Sequence, residues 1–459
     1  LYTNTSGADN TGMGRNALFL NTTGANNVAV GNYALDANTT ADNNTAVGIN
    51  ALVANTTGGS NVAMGSYALQ ANTTTSYGVA IGYEALGATT VAAQTAVGYG
   101  AMTQNTTGTG NVAVGYYAKR YGTGHDYCTA VGYEALQGVN GYNNVEGNTA
   151  IGYGALGTNT TGNNNTAVGR NALYANTTGT RNTAIGDIAA GAVTTGTDVT
   201  AVGWRALTVN TGSENTAVGS RSLDANTTGT RNTAMGDLSA TENETGTDIT
   251  AIGWNALRYA TGNSNTAVGS RSQDATTTGQ NNTSMGDMSL SANTTGASNI
   301  AIGKNALATQ TTADDNTAVG YYAGGTLTSS ANTLIGYYAG TNITTGGSNS
   351  IVGHQAGDAI TTGEQNVIMG KGAASALTTS SYNVVIGTNA GDALTTGNSQ
   401  TVVGHGALSA ATTASETVAI GMQALAALTT GVRNTAIGCQ ASYSNTTSSN
   451  CTSVGYKAL

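Results

Sequence analysis

Few residues in this chain are of the types that do covalent chemistry. There are three histidines and three cysteines among 459 residues. One stretch puts several of them side by side: His125-Asp126-Tyr127-Cys128. A carboxylate beside an imidazole can orient a general base, and a thiol can act as nucleophile. No strained turn places a serine nucleophile, however, and Cys128 falls on the asparagine-ladder position, read below as inward-facing. His354 and His405 stand alone, so no catalytic residue is assigned and no enzymatic activity is expected. A glycosidase would need paired carboxylates across a groove, and the acidic residues here are scattered. Asp187, Asp237 and Asp287 recur every 50 residues, which a recent duplication explains. Three coils at ~4.8 Å each would hold them too far apart to share a cation. No metal site and no cofactor is expected.

Recognition is the other chemistry on offer. Tyr116, Tyr117, Tyr321, Tyr322, Tyr337, Tyr338, Trp204 and Trp254 share with Arg205, Arg221, Arg271 and Lys304 the two repeat positions after a marker glycine, read as a corner. Stacked in space they would make an aromatic and basic ridge able to grip a sugar or a protein. The competing reading is that they cover a corner or pack across a subunit seam.

These residues are placed by a repeat. Asn165 to Arg181, N-T-A-V-G-R-N-A-L-Y-A-N-T-T-G-T-R, is copied from end to end. Its marker, Val, Ile or Met followed by Gly, occurs 27 times from Gly14 to Gly455, spaced by 17, sometimes 16 and once 20. A fixed short period means one small unit stacked many times. Seventeen residues with no helical periodicity make a β coil. The expected fold is all-β, a parallel β-solenoid of about 27 coils forming a single domain over 1–459, roughly 130 Å long at ~4.8 Å per rung. The stretch 119–148 is an irregular excursion, and excursions from a solenoid commonly carry binding.

Within a coil, N-T-A-V-G reads as a short strand with the Val/Ile/Met before the glycine facing the core. Ala172-Leu173 adds a second core side chain, and Asn176-Thr-Thr-Gly179 closes the coil as a turn. Asn44, Asn165, Asn182 and Asn316 occupy one position and are expected to form a structural amide ladder. Ala46, Ala63, Ala167 and Ala184 would then form a flat outer stripe buried against another copy. Between Gly320 and Gly404 the Leu often becomes Gly (Gly340, Gly357, Gly391), while an aliphatic residue appears at Ile343, Ile360 and Leu394. The same coils carry Leu334, Ile351, Ile368, Val385 and Val402 in place of Ala. That exchange is what a core of fixed volume demands, and it should make this segment the stiffest. The N-T-T sequons at Asn38, Asn55, Asn176 and Asn226 are explained by turn chemistry. An ice-binding face is disfavoured, because the Thr residues do not form an every-other-residue array.

Composition agrees with a solenoid: 66 Gly, no Pro, one Phe and 8% charged residues. A net charge of −9 with only 14 Lys plus Arg argues against nucleic acid, which needs a basic stripe. No apolar run suits a membrane span, so no membrane insertion is expected. Cys439 and Cys451 lie within one coil at different repeat positions, so a bridge is open but not implied. The sequence starts and stops within repeats, and a longer parent chain is expected.

The motif N-T-A-V-G-x-x-A-L-x-x-N-T-T-G resembles the head repeats of trimeric autotransporter adhesins. It is closer still to Asn/Thr-rich β-roll repeats of bacteriophage tail fibres and related marine bacterial surface proteins. The resemblance spans the whole chain. It implies a left-handed β-roll, an intertwined or side-by-side homotrimer, and a structural virion fibre acting as a rigid rod and attaching to a host glycan or protein receptor. A bacterial trimeric surface adhesin or extracellular filament is the alternative. Either places the protein at a virion or cell surface. The period of 17 and the lack of a coiled-coil stalk or membrane barrel depart from the adhesins.

Overall fold

A computed structural model describes residues 2–141 and 145–459. The expected solenoid is present. Twenty-seven three-residue strands run from β1 (Thr11–Met13) to β27 (Thr452–Val454), and the described residues contain no helix. The chain divides into two compact units, 1–231 with β1 to β13 (Thr216–Val218), and 232–459 with β14 (Thr233–Met235) to β27. Within each unit the strands pair parallel and in register. Between β10 (Thr166–Val168) and β11 (Thr183–Ile185), for example, Thr meets Thr, Ala meets Ala and Val meets Ile.

Coil-to-coil hydrogen bonding extends well beyond the strands. Asn171 N–H donates to Tyr153 C=O at 2.8 Å, Leu173 N–H to Ala189 C=O at 3.0 Å and Thr177 N–H to Thr194 C=O at 2.9 Å. The backbone is therefore satisfied around most of the contour. The marker glycine is the residue that permits this stacking. Gly169 has φ +136°, a region L side chains rarely adopt. A Cβ there would also lie 2.4 Å from the carbonyl oxygen of Gly186 in the next coil.

The facing of the strand is the reverse of the expectation. Ala46, Ala63, Ala167 and Ala184 are fully buried inside the coil, whereas Val168 is half-exposed and Met285 is 50% exposed. Asn165 and Ala167 point inward and Thr166 and Val168 outward, in ordinary strand alternation. The physical reason is space. The coil is narrow, and Leu173 from the turn already fills its centre, so only a methyl fits at mid-strand. The flat alanine stripe is interior and covers nothing outside.

The volume exchange between Gly320 and Gly404 makes the same point. Leu334, Ile351, Ile368, Val385 and Val402 are all fully buried, as are Ile343, Ile360 and Leu394. A Cβ on Gly340 would meet Ile343 Cδ1 at 2.8 Å and Leu334 Cδ2 at 2.9 Å. The strand and turn aliphatics occupy the volume the Leu side chain would need. These residues belong to one apolar cluster from Leu290 to Ala441 in the second unit.

Leu173 is held at φ +48°. A left-handed conformation costs an ordinary residue roughly 1–2 kcal/mol, and full burial of a Leu contributes roughly 1.5–3 kcal/mol. Burial wins, narrowly. Where glycine takes the position, as at Gly340 and Gly357, the strain is absent and the apolar volume enters from elsewhere.

Two interior amide ladders run through the coils. At the first, Asn182 N–H donates to Asn165 Oδ1 at 3.0 Å, while Asn165 Nδ2 donates to Gly179 C=O at 2.9 Å. Asn44 does the same with Asn27 and Gly58, and Asn316 bonds Asn299 Oδ1 and Ser329 C=O. The ladder thus runs chiefly through the backbone N–H. Direct amide-to-amide bonds join it in the second unit, as from Asn366 Nδ2 to Asn349 Oδ1 at 3.1 Å.

The second ladder lies where a turn was expected. Asn38, Asn55, Asn176 and Asn226 are fully buried. Asn55 Nδ2 donates to Asn38 Oδ1 at 3.1 Å and to Gly58 C=O at 2.9 Å. These asparagines are core residues, and their amides are inaccessible to glycan transfer in the folded coil.

Candidate functional site: the corner rows and the outer strand face

The two residues after each marker glycine do sit at an exposed corner, and the structure brings many of them into contact. In the first unit Tyr83, Tyr99, Tyr116, Tyr133 and Tyr153 form one stack, with centroid separations of 5.1, 5.3, 5.0 and 5.2 Å and planes within 15° of parallel. Tyr117 packs against Tyr116 at 4.3 Å, and Arg120 lies 3.9 Å from the Tyr117 ring centroid. In the second unit Tyr321, Tyr322, Tyr337 and Tyr338 form a four-ring cluster, with Tyr322 and Tyr338 stacked at 5.5 Å and 3°. His354 continues the Tyr337 row at 5.0 Å.

This geometry changes what the rows can bind. A sugar stacks on an open ring face, but here the faces cover each other and present edges and hydroxyls. Hydrogen bonding to Tyr117 raises the pKa of the Tyr99 and Tyr116 hydroxyls above the ordinary phenol value. The tryptophans differ: Trp204 and Trp254 are each 49% exposed, with Arg205 Cζ 5.7 Å from the Trp204 ring.

The four corner cations singled out from the sequence are paired. Arg205 and Arg221 both reach Asp224, at 3.4 and 3.2 Å. Arg271 pairs with Asp274 at 3.2 Å, and Lys304 with Asp287 at 3.2 Å. Asp187 is engaged by Arg170 through two bonds of 2.9 Å. The corner charge is therefore largely offset rather than freely basic, with Arg205 and Arg221 sharing one carboxylate, and exposed pairs of this kind contribute about 0–1 kcal/mol each.

Among the described residues no three His, Cys, Asp or Glu side chains group as metal ligands. No helix of the described residues is long and apolar enough to cross a membrane. Asp126 Oδ1 accepts from the Thr109 N–H and hydroxyl. Cys128 is buried on the first asparagine ladder, and burial pushes its thiol pKa up, away from a nucleophilic thiolate. Cys439 and Cys451 are free thiols. Residues 142–144 of the 119–148 excursion lie outside the described residues; in the rest, Asp126 bridges Glu146 in parallel.

Two features were missed by reading the sequence. The first is the outer strand face, formed in each coil by Thr, Val, Ile or Ser and by Val, Ile or Met. Met64, Ile81, Val114, Ile151 and Ile185 are exposed along the first unit, and Met235, Met285, Ile335, Met369 and Ile437 along the second. Among the described residues no strand carries a charged residue. The second is Lys119, which takes the core Leu position and is fully buried. Its alignment with Leu173 in the repeat was a usable signal. Comparison of the sequence with protein-family models and with curated proteins found no match to either.

Proposed function

We propose that the chain is a structural fibre protein: a left-handed β-roll whose copies associate as a homotrimer, serving a virion as a rigid rod and in attachment to a host surface. The observation that carries this reading is the outer strand face. It is uncharged and repeats an exposed or half-exposed Val, Ile or Met from coil to coil within each unit. Monomeric proteins rarely leave continuous apolar stripes of this extent in water, and cyclic association of parallel copies would cover them. The seam moves from the alanine stripe to the Val/Ile/Met stripe. The N-T-A-V-G repeat supports the fibre assignment by its resemblance to tail-fibre repeats. The Trp204 and Trp254 corners are the best candidates for receptor contact, since their rings are not consumed by stacking rows.

Immunogold electron microscopy with antibody raised against the chain tests the assignment. Label on appendages of virus particles is expected. Label confined to the surface of intact cells would transfer the architecture to a bacterial adhesin, and label only inside cells would overturn both readings.

A further inference from the structure

The second asparagine ladder is interrupted in several coils, as at Thr89, Val193 and Leu327, and the interruption at Gly122 is chemically unusual. In regular coils each Asn Oδ1 accepts from the Asn Nδ2 of the next coil, as Asn21 does from Asn38 at 2.8 Å. Asn105 lacks that donor, because the matching residue one coil on is Gly122. The slot is filled from elsewhere. A Cβ on Gly122 would lie 2.1 Å from the His125 ring, so the imidazole occupies the space of the missing side chain. Lys119, standing where other coils have Leu, donates from Nζ to Asn105 Oδ1 at 3.4 Å. All three residues are buried.

We propose that Lys119 and Asn105 join in an intramolecular isopeptide bond that staples adjacent coils. The neutral Nζ attacks Asn105 Cγ, the new C–N bond forms, and the Cγ–Nδ2 bond breaks. Nδ2 leaves as ammonia, taking one proton from Nζ; starting from the lysine ammonium, the product is an ammonium ion. No oxidant or other reactant is consumed.

Three features favour the step. The two side chains are held together in the buried interior, where proximity replaces a bimolecular encounter. Asn105 Nδ2 donates to Gly108 C=O at 3.0 Å, which fixes the carboxamide. Burial pushes the Lys119 pKa down to about 8, so the nucleophilic amine is accessible near neutral pH. Cys128 and Asp126, the ionisable groups acting on Lys119, oppose this by favouring the ammonium, but desolvation dominates. Closure should accelerate by roughly tenfold between about pH 6.5 and about pH 8, as the amine loses its proton.

The test is mass spectrometry of the purified chain, intact and after chymotryptic cleavage, with Lys119→Met alongside. Cleavage after Tyr116 or Tyr117 falls between the two partners. The proposal expects an intact mass lower by one ammonia and a branched peptide joining Asn105 to Lys119, both absent in Lys119→Met. Full mass and only linear peptides after prolonged incubation above pH 8 would overturn it. Loss of ammonia persisting in Lys119→Met would also overturn it, since asparagine would then be cyclising on its own. If the variant does not fold, the branched peptide in the unaltered chain decides alone.

Discussion

At the scale of single residues, the repeat is held by positions whose backbone leaves little choice. Gly169 combines φ +136° with a neighbour carbonyl where a Cβ would go. Gly169→Ala should therefore cost about 1–3 kcal/mol from backbone strain, with the clash against the Gly186 carbonyl added to it, and open its own coil first. Hydrogen exchange resolved to individual peptides should show lost protection around 166–186, while distant coils of the same unit keep theirs. The Leu173 position obeys a volume rule. Asn176→Ile alone adds bulk to a filled interior and should destabilise by about 1–3 kcal/mol. Adding Leu173→Gly, the combination found at Gly340 with Ile343, should recover most of that loss in thermal unfolding. If the double variant is the less stable of the two, the proposed exchange of volume is wrong.

At the scale of one coil, the second unit contains two kinds of core. Its early coils bury polar side chains: the Ser272 hydroxyl bonds those of both Ser284 and Ser289, and Gln273 Nε2 donates to Thr266 C=O at 2.9 Å. Its later coils bury Leu334, Ile351, Ile368 and Val385. Apolar burial contributes about 25 cal/mol per Å², whereas a buried hydrogen bond contributes only about 1 kcal/mol net. Amide exchange in 334–402 should accordingly be slower than in 266–290, and equal rates would contradict the expected stiffness. The coil was largely legible in the sequence: the period, the marker glycine, the asparagine ladder and the volume exchange all follow from residue spacing. Its facing was not read correctly, because Val, Ile and Met are larger and more apolar than Ala and were given the core. The contrary signal was present. Ala becomes Leu334 or Ile351 in coils where Leu becomes Gly, and a position that trades volume with a core leucine must share that core. The self-stacking of the tyrosines was less accessible, since a corner row in sequence does not say which way its rings turn.

At the scale of the whole molecule, everything rests on the outer strand face. Among the described residues no strand carries charge, while the corners carry Arg, Asp and Tyr, so within each unit the strand face is the surface proposed to be buried against another copy. Removing a corner ring should leave assembly intact: Tyr116→Ala is expected to cost about 0.5–1.5 kcal/mol of local stacking and no change in particle mass. Placing charge on the strand face should separate the copies, because an unpaired buried carboxylate is strongly unfavourable. Native mass spectrometry of the unaltered chain beside Val168→Asp/Ile185→Asp is the most direct measurement. The account predicts about three times 45.4 kDa for the unaltered chain and a folded monomer for the variant. A monomeric unaltered chain, or a trimer that survives both carboxylates, would contradict it.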